Sequence, residues 1–217
     1  MKLETIYNEL KNMIDNGNDF NFIKYMNLME KLEKAIRTET SYKTTSKTRV
    51  DAIKRVASKL EYRPALTGYG IMDDFKVVTD SYHLIAIHQD EMPLPLVGTK
   101  SDLENLGIDY KEYMEKYGRT SLINATYPNV KSLINFSRDN EIPMIDMDDL
   151  TAFIKLNKSN KNATYQIGEC YYNPQFVKNV IDVLGKDCKV YFQGEIRPLF
   201  FENNDGEIGL VLPIKKY

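Results

Sequence analysis

Ala65–His88 reads ALTGYGIMDDFKVVTDSYHLIAIH, and its pattern decides the fold. Leu66–Met72 and Phe75–Thr79 are short runs suited to extended backbone, and Asp73-Asp74 between them is a turn pair. Tyr82–His88 then alternates. Leu84, Ala86 and His88 fall on one side, and His83, Ile85 and Ile87 on the other. A hairpin running into a third strand is the expected structure. The string T-D-x-x-x-L, from Thr79 to Leu84, marks the junction. Two later segments complete the pattern. Tyr127–Ile134 reads YPNVKSLI, and Gly209–Tyr217 reads GLVLPIKKY, a short apolar strand ending in L-P-I-K.

Outward from this hairpin the chain alternates helices and strands. Leu3, Ile6, Tyr7, Leu10, Met13 and Ile14 recur at helical spacing, and Asp15–Asn18 breaks the run with Gly17. Phe22, Tyr25, Met26, Met29, Leu32 and Ile36 form a second stripe, so residues 1–37 are expected as a helical hairpin. Thr38–Thr48 is a polar linker. Val50–Leu60 is expected as a helix stopped by Arg63-Pro64. Beyond the central hairpin, Gln89–Thr99 is extended by Pro93 and Pro95. Leu103–Tyr117 can hold a short helix, and Ser121–Ala125 a strand.

A second module begins near Ile142. Met144–Met147 is expected as a strand, with Asp148 or Asp149 capping a helix over Leu150–Leu156. Thr164–Ile167 is a strand. Asn173 caps a helix opened by Pro174, whose stripe is Phe176, Val177, Val180, Ile181 and Leu184, and Gly185 ends it. Lys189–Gln193, Leu199–Glu202 and Ile208–Ile214 are strands, with a hairpin turn over Asn203–Gly206. No sequence repeat is evident, but a strand–helix–strands plan occurs twice. The division is 1–47 (helical hairpin and linker), 48–135 and 136–217.

Composition bounds the function. The 217 residues are 42% hydrophobic and 28% charged, as in an ordinary globular protein. A net charge of −2 argues against a molecule that binds nucleic acid by bulk charge, though not against one basic face. No apolar run is long enough for a membrane span, and the start carries Glu4 and Glu9 in place of a secretory core. Cys170 and Cys188 have no metal-ligand spacing, so a cytoplasmic, reducing setting is expected. The patterns Asn124-Ala125-Thr126 and Asn162-Ala163-Thr164 carry no meaning without a secretory signal.

The three segments, in this order, resemble the bacterial DNA polymerase III β-type sliding clamp. The helix over 50–60 with the following hairpin resembles that family's middle domain. YPNVKSLI resembles the segment leading to its last domain. Asn173–Tyr217, including Ile196-Arg197-Pro198-Leu199-Phe200, resembles the closing helix and strands. The resemblance covers half to two-thirds of the chain. It implies an α+β fold with antiparallel sheets and packed helices in clamp style. It also implies a groove that receives a linear peptide from replication partners.

There are departures. The family's G-H-R after T-D is Ser81-Tyr82-His83 here. The chain is too short for three clamp domains, and the hairpin after the last module's first helix is missing from the expected pattern. A reduced clamp-like protein, of the kind a phage or mobile element would carry, is the reading. With at most two clamp-type domains and an added helical hairpin, a monomer or dimer is expected.

The implied groove is lined by Leu66, Leu84, Leu133, Leu210 and Leu212, stiffened by Pro128. Thr79, Ser81, Tyr82 and His83 supply its polar edge. Periodicity alone leaves these leucines readable as core. Lys54, Arg55 and Lys59 on one helix, with Lys178 and Lys186 on another, are candidates for weak, non-specific contact with duplex DNA, or simply solvated faces.

No enzyme, cofactor or metal is expected. His83 and His88 face opposite sides of a strand. Asp146, Asp148 and Asp149 are explained by helix capping, and Asp73-Asp74 by a turn. Gly68-x-Gly70 lacks a third glycine and a following helix, and neither a P-loop nor a nucleophile elbow occurs. Two alternatives stand beside the clamp-like accessory. One is a clamp-fold decoy or regulator that does not encircle DNA. The other is a purely structural interaction protein with no open groove.

Overall fold

The computed structural model describes residues 47–60, 62–89, 92–160, 162–194 and 196–215. The helical hairpin expected over 1–37 lies outside them. Residues 48–217 form one compact unit.

Its strands in chain order are β1 (Gly70–Met72), β2 (Phe75–Thr79), β3 (His83–Ile87), β4 (Leu96–Val97), β5 (Leu122–Ile123), β6 (Glu141–Ile142), β7 (Tyr165–Ile167), β8 (Cys170–Tyr172), β9 (Lys189–Phe192), β10 (Leu199–Glu202) and β11 (Ile208–Val211). Seven of them form one sheet in the order β1-β2-β3-β11-β10-β9-β6. Every pairing in it is antiparallel. The last strand, β11, inserts between β3 and β10, with Leu210 opposite Leu84. One sheet therefore joins the two halves of the sequence. The α+β class, with antiparallel sheet and packed helices, is as expected.

The sheet is buried on both faces, which explains why all five residues of β3 are buried. On one face lie Val78, Ile85, Ile87, Phe201 and Val211. Packed with them are Ile53 and Val56 of α1 (helical residues 47–56) and Val177, Val180 and Leu184 of α6. On the other face lie Val77, Leu84, Ala86, Phe200, Ile208 and Leu210, covered by Val130, Ile134 and Phe136. The alternation along β3 is the one its sequence predicts.

Among the described residues the remaining α-helices are α2 (Lys100–Asn105), α3 (Tyr110–Tyr117), α4 (Lys131–Ile134), α5 (Met147–Leu156) and α6 (Pro174–Leu184). Their ends follow capping chemistry. Thr99 and Asp102 form a reciprocal capping box on α2. The Asn173 side chain accepts from Gln175 N–H at the start of α6.

Several boundaries differ from expectation. The helix at 50 ends at 56, because the chain turns back there and Ser58 N–H donates to the Leu66 carbonyl. Leu66 belongs to a 3-10 turn, Pro64–Leu66, closed by the Thr67 N–H on the Pro64 carbonyl, so β1 starts only at Gly70. The strand expected over 144–147 is instead Glu141–Ile142, paired with β9. Asp146, rather than Asp148 or Asp149, caps α5, accepting from both of their N–H groups at 2.8 and 3.1 Å. The segment 103–117 is two helices. The final strand stops at Val211, ahead of Pro213. The hairpin expected to be missing from the last module is present: β7 and β8 pair antiparallel around Gly168.

Candidate functional site

The turn between β2 and β3 is built on Asp80. Its Oδ1 accepts from Tyr82 N–H at 2.8 Å, from His83 N–H at 2.9 Å and from the His83 ring Nδ1 at 2.9 Å. Thr79 Oγ1 donates to the His83 carbonyl at 2.8 Å and accepts from Ser81 N–H at 3.1 Å. These bonds hold Ser81 at φ +81°, a left-handed backbone that costs a side-chain-bearing residue about 1–2 kcal/mol. Glycine relieves that strain, less about 0.5–1 kcal/mol for its greater freedom when unfolded. Ser81→Gly is therefore expected to stabilise the protein by roughly 0.5 kcal/mol, read as a higher urea midpoint with unchanged slope.

Burial alone would raise the Asp80 carboxyl. The bonds from the His83 ring and from the His83 and Tyr82 backbone outweigh it and hold Asp80 below the usual aspartate range. A carboxylate depressed on folding contributes stability that is complete above its unfolded value and is lost as pH falls through its folded value. Asp80→Asn should thus cost stability at neutral pH, and its deficit relative to wild type should shrink below about pH 4. Urea midpoints at pH 7 and pH 3 measure this.

The segment 127–134 is fastened to the same hairpin. Tyr127 donates its hydroxyl to the Val77 carbonyl at 2.8 Å. Its ring lies where a Cβ on Gly70 would sit, 2.4 Å away, so only glycine fits there. Lys131 reaches Asp73 at 2.8 Å. From the other side, Leu212 N–H donates to the Tyr82 carbonyl at 2.9 Å. Leu84, Val130, Ile134, Ile208 and Leu210, one or two from each of the three segments, share one hydrophobic cluster. Lys131 is fastened at the Asp73 turn, the end of the hairpin away from Tyr82 and Leu212.

The individual residues divide into buried and exposed. Leu84 and Leu210 are 1% and 3% exposed, in the core beneath. Leu66, Thr79 and His83 are buried, and Pro128 is half-buried. Tyr82, Leu133 and Leu212 face solvent at 58%, 42% and 36%, and Ser81 is exposed. His83 is 1% exposed, so it supports the turn from beneath instead of offering a polar edge. Its ring stacks on Phe176 of α6 at 4.3 Å, and Tyr82 stacks on the outer side of Phe176 at 6.2 Å. The sequence reading missed Phe176 as a support, because its helical spacing marks it only as core. A separate cleft of about 280 Å³ lies where α5 ends and α6 begins. Its lining of Asn157, Lys158, Asn160, Asn173 and Gln175 suits polar matter, and none of the expected groove residues reaches it.

The basic candidates are unequal. Lys54, Lys59 and Lys186 are exposed. Arg55 is bonded to Asn179 at 2.9 Å and to Asp182 at 3.0 Å. Lys178 is bonded to both oxygens of Asp182 at 2.7 Å. Among the described residues no cluster of metal-ligating side chains occurs, and no helix is long and apolar enough to cross a membrane.

No protein-family model matches the sequence, and no curated protein matches it. Solved structures do. The β sliding clamp of C. crescentus superimposes with TM-score 0.53 at 12% identity, over 78% of this chain and 63% of the clamp. The Helicobacter pylori β clamp bound to a DNA ligase peptide gives TM-score 0.52 at 13% identity, over 78% and 63%. The sliding clamp of Bartonella birtlesii bound to griselimycin gives 0.51 at 14%, over 78% and 64%. The chain thus spans somewhat under two-thirds of the length of these clamps. Over that part, its fold is that of the bacterial DNA polymerase III β sliding clamp, at low sequence identity.

Proposed function

We propose that the protein is a clamp-like replication accessory that binds a linear peptide of a partner across the apolar rim formed by Tyr82, Leu133 and Leu212. The observation that supports this reading is the hydrophobic cluster to which all three segments contribute, Leu84, Val130, Ile134, Ile208 and Leu210 among them, with Tyr82, Leu133 and Leu212 left facing solvent. Thr79, Ser81 and Pro128 border the rim, and Leu84 and Leu210 support it from below; Leu66 lies buried in the turn after α1, apart from that cluster. The peptide bound to the Helicobacter pylori clamp supports the reading by analogy of fold. The role is binding, not catalysis. The halves 48–135 and 136–217 are proposed as the two clamp-type modules, in a monomer or dimer.

Contact with duplex DNA, through Lys54 and Lys59, is proposed as weak and non-specific. The engagement of Arg55 and Lys178 by Asp182 favours a form that does not encircle DNA.

A fluorescein-labelled peptide with glutamine, leucine and a terminal leucine–phenylalanine pair tests the reading. A leucine moved from water into a full pocket gains roughly 1.5–3 kcal/mol, and ordering the peptide offsets much of it. Micromolar affinity or weaker is expected. Leu212→Asp should weaken it at least about tenfold by placing a charge against the anchors. Leu212 is the right position, since Leu84→Asp would bury a charge and unfold the sheet. Equal polarisation curves for wild type and Leu212→Asp would overturn the groove.

A further inference from the structure

A continuous polar chain runs beneath the rim. His83 Nδ1 lies 2.9 Å from the Asp80 carboxylate, an acceptor only, so Nδ1 carries the proton. The other ring nitrogen, Nε2, then accepts from Asn179 Nδ2 at 3.4 Å. Asn179 Oδ1 in turn accepts from Arg55 Nε at 2.9 Å and from Gln175 Nε2 at 3.1 Å. Arg55 continues to Asp182 at 3.0 Å. His83 and Asn179 are 1% and 3% exposed, so their mutual contact is shut off from water, while Arg55 and Gln175 reach them from the surface. Each of these bonds pairs a donor with an acceptor, and His83 and Asn179 hold each other in place.

Such a chain has two self-consistent settings. In the setting described, Asn179 turns its amide nitrogen to Nε2 of His83 and its oxygen to Arg55. If His83 takes a proton on Nε2, two donors oppose each other. Rotating the Asn179 amide repairs that contact, but places its nitrogen against the donors of Arg55 and Gln175. The second setting therefore needs Arg55 withdrawn and the exposed Gln175 amide turned to present its oxygen.

We propose that His83 and Asn179 are positioning residues for the peptide rim, and that the Asn179 amide is a two-position relay tying the engagement of Arg55 on α1 to the state of His83 and the 80–83 turn. The charged groups bearing on the ring are Asp80 from its own turn and, through Asn179, Arg55. Asp182 and Lys178 on α6 lie beyond Arg55. The same turn holds Tyr82, whose carbonyl receives Leu212 N–H. A ligand that draws Arg55 outward thus alters the rim without touching it, and peptide binding alters Arg55 in return. The effect on peptide affinity rests on the groove reading; the relay itself does not.

The test is a double-mutant cycle between Arg55→Met and Asn179→Leu, read on the ¹⁵N shifts of the His83 ring across pH 5–8 and on the Tyr82 and Leu212 amides. Arg55→Met alone is expected to move the His83 ring nitrogens and both amides. In the Asn179→Leu background the same change should move them by less than about half as much. Asn179→Ser serves in place of Asn179→Leu should the latter not fold. A ring unmoved by Arg55→Met, or an equal shift in both backgrounds, which is plain charge repulsion, overturns the relay. Peptide polarisation is run on the same variants. If the cycle behaves as expected but no peptide binds, the relay stands and the groove reading fails.

Discussion

Arg49→Ala is expected to lower the unfolding free energy by about 3 kcal/mol, enough to reduce Tm by roughly 6–12 °C. Arg49 ties α1 to the far end of the sheet. Its Nη2 pairs with Glu207 at 2.7 Å, its Nη1 donates to the Val183 carbonyl at 2.9 Å, and its Nε reaches Gln89 at 3.3 Å. Glu207 is 4% exposed and also accepts from Asn203 Nδ2 at 2.7 Å and from His88 N–H at 3.1 Å. Removing the guanidinium leaves a buried carboxylate with hydrogen bonds but no counter-charge. Replacing both partners, in Arg49→Met with Glu207→Leu, should cost less than Arg49→Ala alone, because no charge is then stranded. Urea unfolding of the variants measures the difference.

Gly209→Val is expected to be at least as damaging, by about 3 kcal/mol. Gly209 lies in the middle of β11, between Ile85 and Phe201 of its neighbours. A Cβ there would sit 2.3 Å from Val180 Cγ1 and 3.1 Å from Leu184 Cδ1. The bare strand lets α6 pack directly against the sheet, and a side chain forces the helix outward. Loss of the Tyr82–Phe176 stacking should follow, because Phe176 rides on the same helix. Thermal unfolding followed by circular dichroism, with near-ultraviolet signal for the tyrosines, checks both effects.

What the sequence disclosed follows the range of the forces involved. β2 and β10 are legible to the residue, because alternation and short turns are local signals. So is α6, bounded by Asn173-Pro174 and Gly185. The start of β1 is not, since the Pro64–Leu66 turn depends on contacts that the run of apolar residues does not encode. The β7–β8 hairpin had a signal in Gly168, whose φ of +59° marks a tight turn, but its strands are only three residues each. The pairing of β3 with β11 and the Arg49–Glu207 bond span most of the chain, and no local pattern announces them.

The three segments each give residues to one hydrophobic cluster, but apolar spacing could not divide Leu84 and Leu210, in the core, from Leu133 and Leu212, at the surface. Nor could it assign His83, whose partner Asn179 is 96 residues away. Arg55 and Lys178 read as a basic face because the Asp182 that engages both is visible as a neighbour only of Lys178.

The central claim is that the rim at Tyr82, Leu133 and Leu212 receives a peptide. Amide and methyl resonances of the ¹⁵N,¹³C-labelled protein, titrated with the glutamine–leucine…leucine–phenylalanine peptide, test it most directly. The account predicts saturable shifts at Thr79, Tyr82, Leu133 and Leu212, with micromolar or weaker affinity, and none from the same peptide with its apolar residues replaced by serine. Unshifted resonances at those four positions, or shifts confined to the polar cleft between Asn157 and Gln175, would contradict it.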